Sequence, residues 1–441
     1  MAELEPLYTA DEMKAAEAGH DVDALMERAG SAVAAAVARD YPGARIVAVC
    51  GKGANGGDGR IAAQKLGAEV VELGAGLPEA DVVIDAVFGT GFHGEPREEA
   101  AKSIEAIRHA DVPVVAVDVP SGVNASTGEV SGVCIDATTT VTFHGEKVGL
   151  AVAPGSLHAG RVEVADIGLE HAETVHALVT SEIARRVPRR QRGGNKYRSG
   201  SVLAVGGAPG LTGAICLAAE AAFRADAGYV TVCAPRESLP VVETRLLEAV
   251  KRPLEEVFEA AERAGSLALG PGLGRGDEAR QLVRRLLEET DLPAVVDADA
   301  LFGFEPVERD GPIVLTPHSG ELARLLDDET SWVDAHRLEA VHRALERFQC
   351  VVLLKGSETI VAAPGARTLI SAGTPRLATA GTGDVLTGII GAFLSKGMEG
   401  QLAAAAAARV HADAALAAPQ ARGLIAGDVV AALPLVLGAR A

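Results

Sequence analysis

The sequence predicts two α/β domains in one chain, each wound around a mostly parallel sheet. Short aliphatic runs alternate with helical patterns along nearly the whole chain. These runs are apolar on both faces, which is typical of parallel strands covered by helices. The alternation stops in the basic segment VPRRQRGGN (187–195) and restarts after it. This segment is the best linker candidate, and it separates predicted domains at 1–180 and 190–441.

In the first half, Thr9 and Glu12 have the spacing of a capping box, so a helix is expected to begin there. A second helix is predicted over residues 24–38. The glycine-rich segment GKGANGGDG (51–59) follows a strand and precedes a helix predicted over 59–66. The predicted strands of this half are 45–50, 82–87, 112–117, 141–143 and 161–164.

In the second half, the glycine turn GTGD (381–384) opens a helix predicted over 385–395. The alanine run 403–408 is bounded by Gln401 and Arg409, which favours a soluble helix. The predicted strands of this half are 202–205, 230–233, 267–269, 294–296, 313–315 and 351–354.

Composition and charge narrow the classes of function. The 441 residues carry a formal net charge of −19, which disfavours binding to a nucleic-acid backbone. Small anions remain compatible ligands, because backbone N–H groups can bind phosphate. The N-terminus lacks the pattern of a signal peptide, and no apolar run reaches about 18 residues. The five cysteines form no C-x-x-C pair, which argues against a disulfide framework or a zinc site and predicts a reducing cytoplasm.

Three loops of the first half follow predicted strands, so we expect them at the same edge of the sheet. They are residues 51–59, DAVFGTG (85–91) and DVPSG (118–122). A glycine-rich turn before a helix directs N–H groups at an anion, although a plain strand–helix turn is the alternative. Asn55, Asp85 and Ser121 offer oxygen ligands for an alkali or alkaline-earth cation. Turn or helix capping is the alternative for Asp85 and for Asp118.

These loops, with LMERAG (25–30) and KVG (147–149), resemble the epimerase domain of the NAD(P)H-hydrate repair enzymes over about residues 1–170. The resemblance implies a Rossmann-like αβα domain that interconverts the R and S hydrates at C6 of the nicotinamide ring. It implies a potassium ion held by Asn55, Asp85 and Ser121. The reaction needs proton transfer, for which Asp118 is the candidate. The family's GNNGGDG has Ala54 in place of its first Asn here. The implied substrate-binding residues are Ala54, Asn55, Gly56, Gly57, Asp58, Gly89, Thr90, Gly91, Phe92, His93, Gly94, Glu95 and Asp118.

The second half contains residues suited to phosphoryl transfer. The glycine turn at the helix start would form an anion hole, and Asp384 beside it would accept a proton. The alternative is that Asp384 only caps the helix. In TPHSGE (316–321), His318 is a candidate hydrogen-bond donor to substrate or a structural residue, and Glu321 is a candidate for orienting metal-bound water. In LKGSET (354–359), Lys355 either binds nucleotide phosphates or is an exposed hairpin charge. GGAPGLTGA (206–214), GPGLG (270–274) and VDADAL (296–301) add glycine loops and carboxylates at further strand ends.

No P-loop motif occurs, and the combination of GTGD, TPHSGE, KGSET and GPGLG is similar to the ribokinase-like NAD(P)H-hydrate dehydratase domain, over about residues 190–441. The resemblance implies that Asp384 deprotonates the C6 hydroxyl while ADP or ATP phosphorylates it, with Mg²⁺ neutralising phosphate charge. Bacterial two-domain members typically use ADP, so ADP is expected. The implied substrate-binding residues are Ala214, Gly272, His318 and Asp384, and the implied nucleotide-binding residues are Lys355, Gly356, Ser357, Glu358, Thr359 and Gly383.

The sequence therefore predicts a bifunctional epimerase and dehydratase. It would act on the hydrates NADHX and NADPHX, with K⁺ and Mg²⁺, and release AMP and phosphate when ADP is used. We expect a cytoplasmic homo-oligomer that binds neither nucleic acid nor membranes. Two alternatives stay open. In the first alternative, the second half is a kinase for a small hydroxylated metabolite. In the other, the first half is a non-catalytic nucleotide-binding module.

Overall fold

The computed structural model describes residues 2–190 and 199–439, which form two compact units. The N-terminal unit contains Pro6–Ala177 and Asp334–Arg337. The C-terminal unit contains the described residues of Leu178–Val333, Leu338–Ala441 and Met1–Glu5. Residues 191–195 of the predicted linker lie outside the described residues.

The N-terminal unit is built on a six-stranded sheet whose strands are all parallel, in the order β3-β2-β4-β5-β6-β7. The first strand of the chain, β1 (Leu4–Leu7), belongs instead to the larger sheet. The other strands are β2 (Ile46–Cys50), β3 (Glu69–Glu72), β4 (Val82–Ala86), β5 (Val114–Val117), β6 (Thr139–Phe143) and β7 (Arg161–Ala165). The helices are α1 (Ala10–Glu17), α2 (Val22–Asp40), α3 (Ala54–Leu66), α4 (Glu98–His109), α5 (Val148–Ala151) and α6 (Gly155–His158).

Two apolar cores cover the two faces of this sheet. Ala48 and Cys50 of β2 share one core with α2 and α3. Val47 and Val49, the alternate residues of the same strand, share the other core with Ile104 of α4. Successive side chains of a strand point to opposite faces, so a strand between two helical layers must be apolar throughout. The predicted three-layer αβα architecture is confirmed.

Helix α3 differs from its prediction, because it begins at Ala54 rather than at residue 59. A Cβ atom on Gly56 would lie 1.9 Å from the Gly51 carbonyl oxygen, and one on Gly59 would lie 2.3 Å from Cβ of Ala86. The helix packs so closely on the sheet that only glycine fits. This packing outweighs the helix penalty of roughly 1 kcal/mol for each glycine. The capping box of Thr9 and Glu12 at the start of α1 is confirmed.

The larger sheet has eleven strands in the order β1-β8-β17-β16-β15-β14-β13-β12-β9-β10-β11, and β9 to β17 lie in the C-terminal unit. Neighbouring strands from β15 to β11 are parallel, whereas β16 and β17 are antiparallel to their neighbours β15 and β16. The strands are β8 (His176–Val179), β9 (Ser201–Val205), β10 (Tyr229–Ala234), β11 (Val250–Pro253), β12 (Ser266–Leu269), β13 (Ala294–Val296), β14 (Ile313–Leu315), β15 (Val351–Leu354), β16 (Glu358–Ala362) and β17 (Thr368–Ala372).

The central helix of this unit is α14, which packs on β9, β12 and β13 and against α7. A Cβ atom on Gly388 of α14 would lie 2.1 Å from the Ala218 carbonyl oxygen of α7, so the helices are nearly in backbone contact. The helices are α7 (Thr212–Arg224), α8 (Leu239–Arg245), α9 (Val257–Ala261), α10 (Asp277–Glu289), α11 (Ser319–Leu326), α12 (Thr330–Ala335), α13 (Arg337–Phe348), α14 (Thr382–Ser395), α15 (Gly400–Ala417) and α16 (Ala426–Ala439).

All five cysteines are free thiols, and four of them are buried. Among residues 2–190 and 199–439, no helix combines the length and the apolar character that crossing a bilayer requires.

A buried ion pair fixes the loop that follows β5. Lys147, which precedes α5, is fully buried, and its Nζ lies 2.8 Å from Oδ1 of Asp118. The same ammonium group donates to Oγ1 of Thr142 (2.9 Å) and to the carbonyl oxygen of Phe143 (2.7 Å). Asp118 adopts a left-handed backbone conformation with φ of 67°. Several polar contacts therefore maintain a conformation that non-glycine residues rarely adopt.

We expect Lys147→Met to lower the free energy of unfolding by about 3–5 kcal/mol, because it leaves the buried Asp118 carboxylate without a cation. Chemical denaturation at neutral pH measures the change. Lys102→Met is the control, since Lys102 forms an exposed pair with Glu98 that contributes less than about 1 kcal/mol. Equal small effects of the two substitutions would contradict a structural role for the buried pair.

Candidate functional site

The predicted residues of the N-terminal site meet where β2, β4 and β5 end. Residues 54–58 form the first turn of α3, whose N-cap, Gly53, supplies no side-chain hydrogen bond. Residues 89–95 follow β4, and Asp118 follows β5. The N–H group of Thr90 donates to Oδ2 of Asp118 at 3.1 Å, which joins two of these loops. Oδ1 of Asn55 would lie only 2.8 Å from a Cβ atom on Gly89, so α3 contacts the second loop.

The three predicted cation ligands form one hydrogen-bonded group. Ser121 donates to Asp85 from its hydroxyl (2.6 Å) and from its backbone N–H (2.8 Å). The N–H of Phe88 donates to the Ser121 hydroxyl oxygen at 2.9 Å. Asn55 donates from Nδ2 to the carbonyl oxygen of Phe88 at 2.7 Å. The structure therefore brings Asn55, Asp85 and Ser121 together around one backbone segment.

Asp85 is fully buried, and no cationic side chain of the described residues forms an ion pair with it. Burial raises the pKa of Asp85 to about 6, although hydrogen bonds from Ser121 and from the Val87 N–H act in the opposite direction. The Ser121 hydroxyl contacts this carboxylate and also lies beside the Phe88 carbonyl oxygen, and oxygens of these kinds are the ligands of hard cations. The chemistry of this group fits a bound monovalent cation, which would compensate the buried charge.

Two aspartates of this site have pKa values shifted in opposite directions. Burial raises the pKa of Asp118, but Lys147 and the hydroxyl donors outweigh it, so the net pKa is lowered. Thr90 and Thr142 both donate hydroxyl hydrogen bonds to Asp118. Burial, and then the charges of Asp118 and Glu17, raise the pKa of Asp58 to about 8. Of these two groups, Asp118 therefore favours the carboxylate form at neutral pH, and Asp58 favours the carboxylic acid.

The loop after β4 is more open. Phe92 stacks on the ring of Phe88 with 4.4 Å between centroids. Gly91, His93, Gly94 and Glu95 are exposed. Nδ1 of His93 lies 3.3 Å from the Gly91 carbonyl oxygen. Nothing in these contacts assigns a chemical role to the loop residues.

In the C-terminal unit, Asp384 is the third residue of α14. The N-cap of this helix is Gly381, in a left-handed conformation with φ of 87°, and no side chain caps the helix. Asp384 is therefore not the helix cap, which removes the structural alternative. Burial, and next the charge of Asp297, raise the pKa of Asp384 to about 7, although Lys355 acts in the opposite direction. A carboxyl group with this pKa exchanges a proton at neutral pH.

Lys355 is held beside Asp384 by a buried network. Its Nζ lies 2.7 Å from Oδ1 of Asp297, whose other carboxylate oxygen accepts a 2.6 Å hydrogen bond from Thr387 of α14. Glu321 lies 3.9 Å from the same ammonium group. Burial lowers the pKa of Lys355, but Asp297 and Glu321 outweigh it, and the net pKa is raised. The Lys355 side chain is only 20% exposed, so it is not the solvated hairpin charge of the alternative interpretation.

His318 has a structural contact and a free donor position. Its Nδ1 accepts hydrogen bonds from the N–H groups of Gly320 (3.0 Å) and Glu321 (3.3 Å) at the start of α11. The proton of the neutral ring is therefore on Nε2, which lies 3.5 Å from Oε1 of Glu321. The side chain is 56% exposed, so Nε2–H is available to a ligand. Glu321 completes the capping box by accepting from the His318 N–H at 2.9 Å.

The remaining predicted residues lie in neighbouring loops. The N–H of Ala208 donates to the Gly272 carbonyl oxygen at 2.6 Å, which joins the loops that follow β9 and β12. Ala214 is in the first turn of α7. Gly383 is in the first turn of α14, and a Cβ atom on it would lie 3.5 Å from Nζ of Lys355. Residues 356 and 357 connect β15 to β16, which contains Glu358 and Thr359.

Three important residues were not among the predicted site residues. Lys147 and Asp297 are visible in the sequence within KVG and VDADAL, but their partners come from distant parts of the chain. Thr387 is an ordinary helix residue by its sequence, and only the fold places it on Asp297. The position of VDADAL directly after a strand was the one available signal for Asp297.

Two family models match this chain. One, described as NAD(P)H-hydrate dehydratase, matches residues 202–433. The other, described as YjeF-related protein N-terminus, matches residues 22–76 and 69–149. The two matches lie in different halves of the chain, one in each unit.

Relatives match both halves in one alignment. A bifunctional NAD(P)H-hydrate repair enzyme of Moorella thermoacetica is 40% identical over 94% of this chain and 92% of its own length. The enzyme of the same name from Escherichia coli is 33% identical over 94% of this chain and 89% of its own length.

Among solved structures, the ADP/ATP-dependent NAD(P)H-hydrate dehydratase of Bacillus subtilis, co-crystallized with ATP/Mg²⁺, is 29% identical. It covers 59% of this chain and 98% of its own, with a TM-score of 0.55. A ribokinase-like superfamily protein of Enterococcus faecalis has the same TM-score at 24% identity, which supports the predicted fold. The chain therefore belongs to the family of bifunctional NAD(P)H-hydrate repair enzymes.

Proposed function

We propose that this chain repairs hydrated NADH and NADPH in two steps. The N-terminal unit interconverts the R and S hydrates, and the C-terminal unit converts the S hydrate to NAD(P)H at the expense of ADP or ATP. The functional domains are proposed at 1–180 and 190–441. The observation that carries the proposal is Asp384, a carboxyl group with a pKa near 7 at an uncapped helix start beside a buried lysine.

Dehydration requires a better leaving group than hydroxide. We assign Asp384 as the acceptor of the C6 hydroxyl proton while the hydroxyl oxygen attacks the terminal phosphorus of the nucleotide. With ADP, the bond to AMP breaks as the new phosphate ester forms. The ring nitrogen lone pair then expels phosphate from C6, and loss of a proton from C5 restores the dihydropyridine. Nε2–H of His318 is placed to orient the substrate through a hydrogen bond.

The nucleotide is proposed to lie near residues 355–359 and Gly383. Lys355 supplies a fixed positive charge, and the free N–H groups at the start of α14 supply the anion hole. Among the described residues, no group of three or more His, Cys, Asp or Glu side chains is arranged to hold a metal ion. Mg²⁺ is usually bound through nucleotide phosphates and water with one or two carboxylates. We therefore propose that Mg²⁺ binds together with the nucleotide, where it would neutralise phosphate charge.

For the epimerase, Asp118 remains our candidate for proton transfer, with Asp58 as its partner. Epimerisation at the hemiaminal carbon can proceed by ring opening, in which the hydroxyl loses a proton, the C6–N1 bond breaks and the ring nitrogen gains a proton, and the reverse steps close the ring on the other face. An ionised Asp118 suits acceptance of a proton, and a protonated Asp58 suits donation. Potassium is proposed at Asn55, Asp85 and Ser121, where it would supply a fixed charge beside the substrate. The site would use Ala54, Gly56, Gly57 and residues 89–95 for substrate contacts.

The five free thiols suit a reducing cytoplasm, which is the proposed location. We also propose that the chain forms a homo-oligomer. Binding to nucleic acid is not proposed, because the net charge of the chain is −19.

We expect Asp384→Asn to lower the rate of NADH formation from the S hydrate with ADP by about 10²–10⁴-fold, because the proton acceptor is lost. KM for the hydrate should change little. In the unmodified chain, kcat/KM should rise with pH through about 7, since Asp384 must be ionised to accept a proton. Absorbance of NADH measures both quantities.

Asp310→Asn is the matched control, because Asp310 is an exposed carboxylate of the same unit. Near-normal turnover of Asp384→Asn would remove Asp384 from this role. A stable phosphate ester without NADH would instead favour the small-molecule kinase.

We expect Asp85→Asn to abolish the potassium dependence of epimerisation and to leave dehydration unchanged. The substitution removes the negative charge that a cation would compensate at this site. The assay incubates R hydrate with the full chain without nucleotide and follows S hydrate at varied KCl. The control is Asp81→Asn, an exposed position just before β4. Retained potassium dependence would contradict the site, and absence of interconversion by the unmodified chain would favour a non-catalytic binding module.

A further inference from the structure

A cavity in the C-terminal unit is lined by arginines although the chain is strongly acidic. It has a volume of about 300 Å³, and we call it the arginine pocket. Arg275 follows β12, Arg280 is in α10, Arg324 is in α11 and Arg347 is in α13. Two acidic residues, Glu305 and Glu321, also line it, and two of the four arginines form ion pairs, Arg275 with Asp299 and Arg280 with Asp277.

Two of these arginines have no carboxylate partner. Arg324 donates from Nε to the Gly320 carbonyl oxygen at 3.2 Å, and Arg347 lies 5.3 Å from the ring centroid of Phe348. Neither forms an ion pair within the described part of the chain, and both are exposed. By contrast, Arg275 pairs with Asp299 at 2.8 Å. The pocket therefore presents uncompensated guanidinium groups, which are suited to bidentate binding of phosphate.

An aromatic face lies beside these groups. Phe302 lines the pocket and is 39% exposed. The guanidinium carbons of Arg275 and Arg280 lie 5.7 and 5.9 Å from its ring centroid. An exposed aromatic ring and guanidinium planes both stack on nucleobases. The combination fits a ligand that carries a purine next to phosphate.

The pocket shares its wall with the proposed dehydration site. Glu321, which lies 3.9 Å from Lys355, lines the pocket, as does Ala298, the residue after Asp297. Asp299, the partner of Arg275, also accepts from the Gly274 N–H at 3.0 Å, in the loop that contains Gly272. Glu321 and residues 297–299 therefore connect the arginine pocket to the proposed dehydration site.

We infer that the arginine pocket binds the adenosine-phosphate half of the hydrated dinucleotide, with phosphate at Arg324 and Arg347 and adenine against Phe302. This inference rests on the proposed function, because it names a second contact region for the same substrate. The co-substrate ADP has the same chemistry. The test therefore measures the two ligands separately.

The test compares Arg324→Ala and Arg347→Ala with the unmodified full chain in NADH- and NADPH-forming assays. KM is measured for NADPHX, NADHX, the hydrate of reduced nicotinamide mononucleotide and ADP. We expect KM for both dinucleotide hydrates to rise about tenfold, the usual effect of losing a charged hydrogen bond. Turnover with the mononucleotide hydrate, which lacks the adenosine half, and KM for ADP should not change.

Arg284→Ala is the matched control, because Arg284 is exposed, pairs with Glu288 and does not line the arginine pocket. Equal losses for dinucleotide and mononucleotide hydrates, a change confined to ADP, or no change would each overturn the inference. A larger loss for NADPHX than for NADHX would place the 2′-phosphate at the arginines, and equal losses would place the pyrophosphate there. Absence of NADH formation by the unmodified chain would contradict the proposed function itself, which is a separate result.

Discussion

In each unit one lysine forms an ion pair with a buried aspartate. A second aspartate nearby forms no ion pair within the described residues. The pairs are Lys147 with Asp118 and Lys355 with Asp297. Burial disfavours a negative charge on the second aspartate, and the charge of the paired aspartate adds to this effect. The pKa values of Asp58 and Asp384 rise to about 8 and about 7 for this reason. Each unit thus acquires a group that exchanges protons at neutral pH without histidine.

The sequence was sufficient for most of the buried strands and for the edge of each sheet at which the predicted site residues gather, but β3, β8 and β11 were not predicted. Apolar runs predicted β2, β4 and β9 nearly to the residue, because parallel strands between helices have no polar face. The start of α3 was predicted wrongly, since glycine disfavours helix locally and only the approach to Gly51 and Ala86 explains it. The partners of Lys147 and Lys355 could not be predicted either. Asp297 and Lys355, for example, are 58 residues apart in the sequence, and only the strand order of the sheet brings them together.

An acidic chain can bind phosphate-bearing ligands when positive groups are concentrated where they are needed. At α3 and α14 the uncapped N–H groups of the first turn provide fixed partial charges, which add nothing to the net charge. In the arginine pocket, the unpaired guanidinium groups of Arg324 and Arg347 provide full positive charges rather than partial ones. Elsewhere most arginines are paired with carboxylates on the surface, as in the pairs of Arg284 and Arg285 with residues one helical turn away. Long-range repulsion between the acidic molecule and its ligands is screened beyond about 8 Å at physiological ionic strength.

The two kinds of aspartate affect stability in opposite directions as the pH changes. The lowered pKa of Asp118 means that its ion pair stabilises the fold above the unfolded value of about 3.9, and this contribution is lost as the pH falls. Asp384 has a raised pKa, so the folded state keeps a proton that the unfolded chain has released. Its contribution therefore becomes less favourable as the pH rises from about 4 towards 7. The environment that suits Asp384 to accept a proton opposes folding at the same pH, and the close packing of α14 on α7 and the sheet must offset that cost.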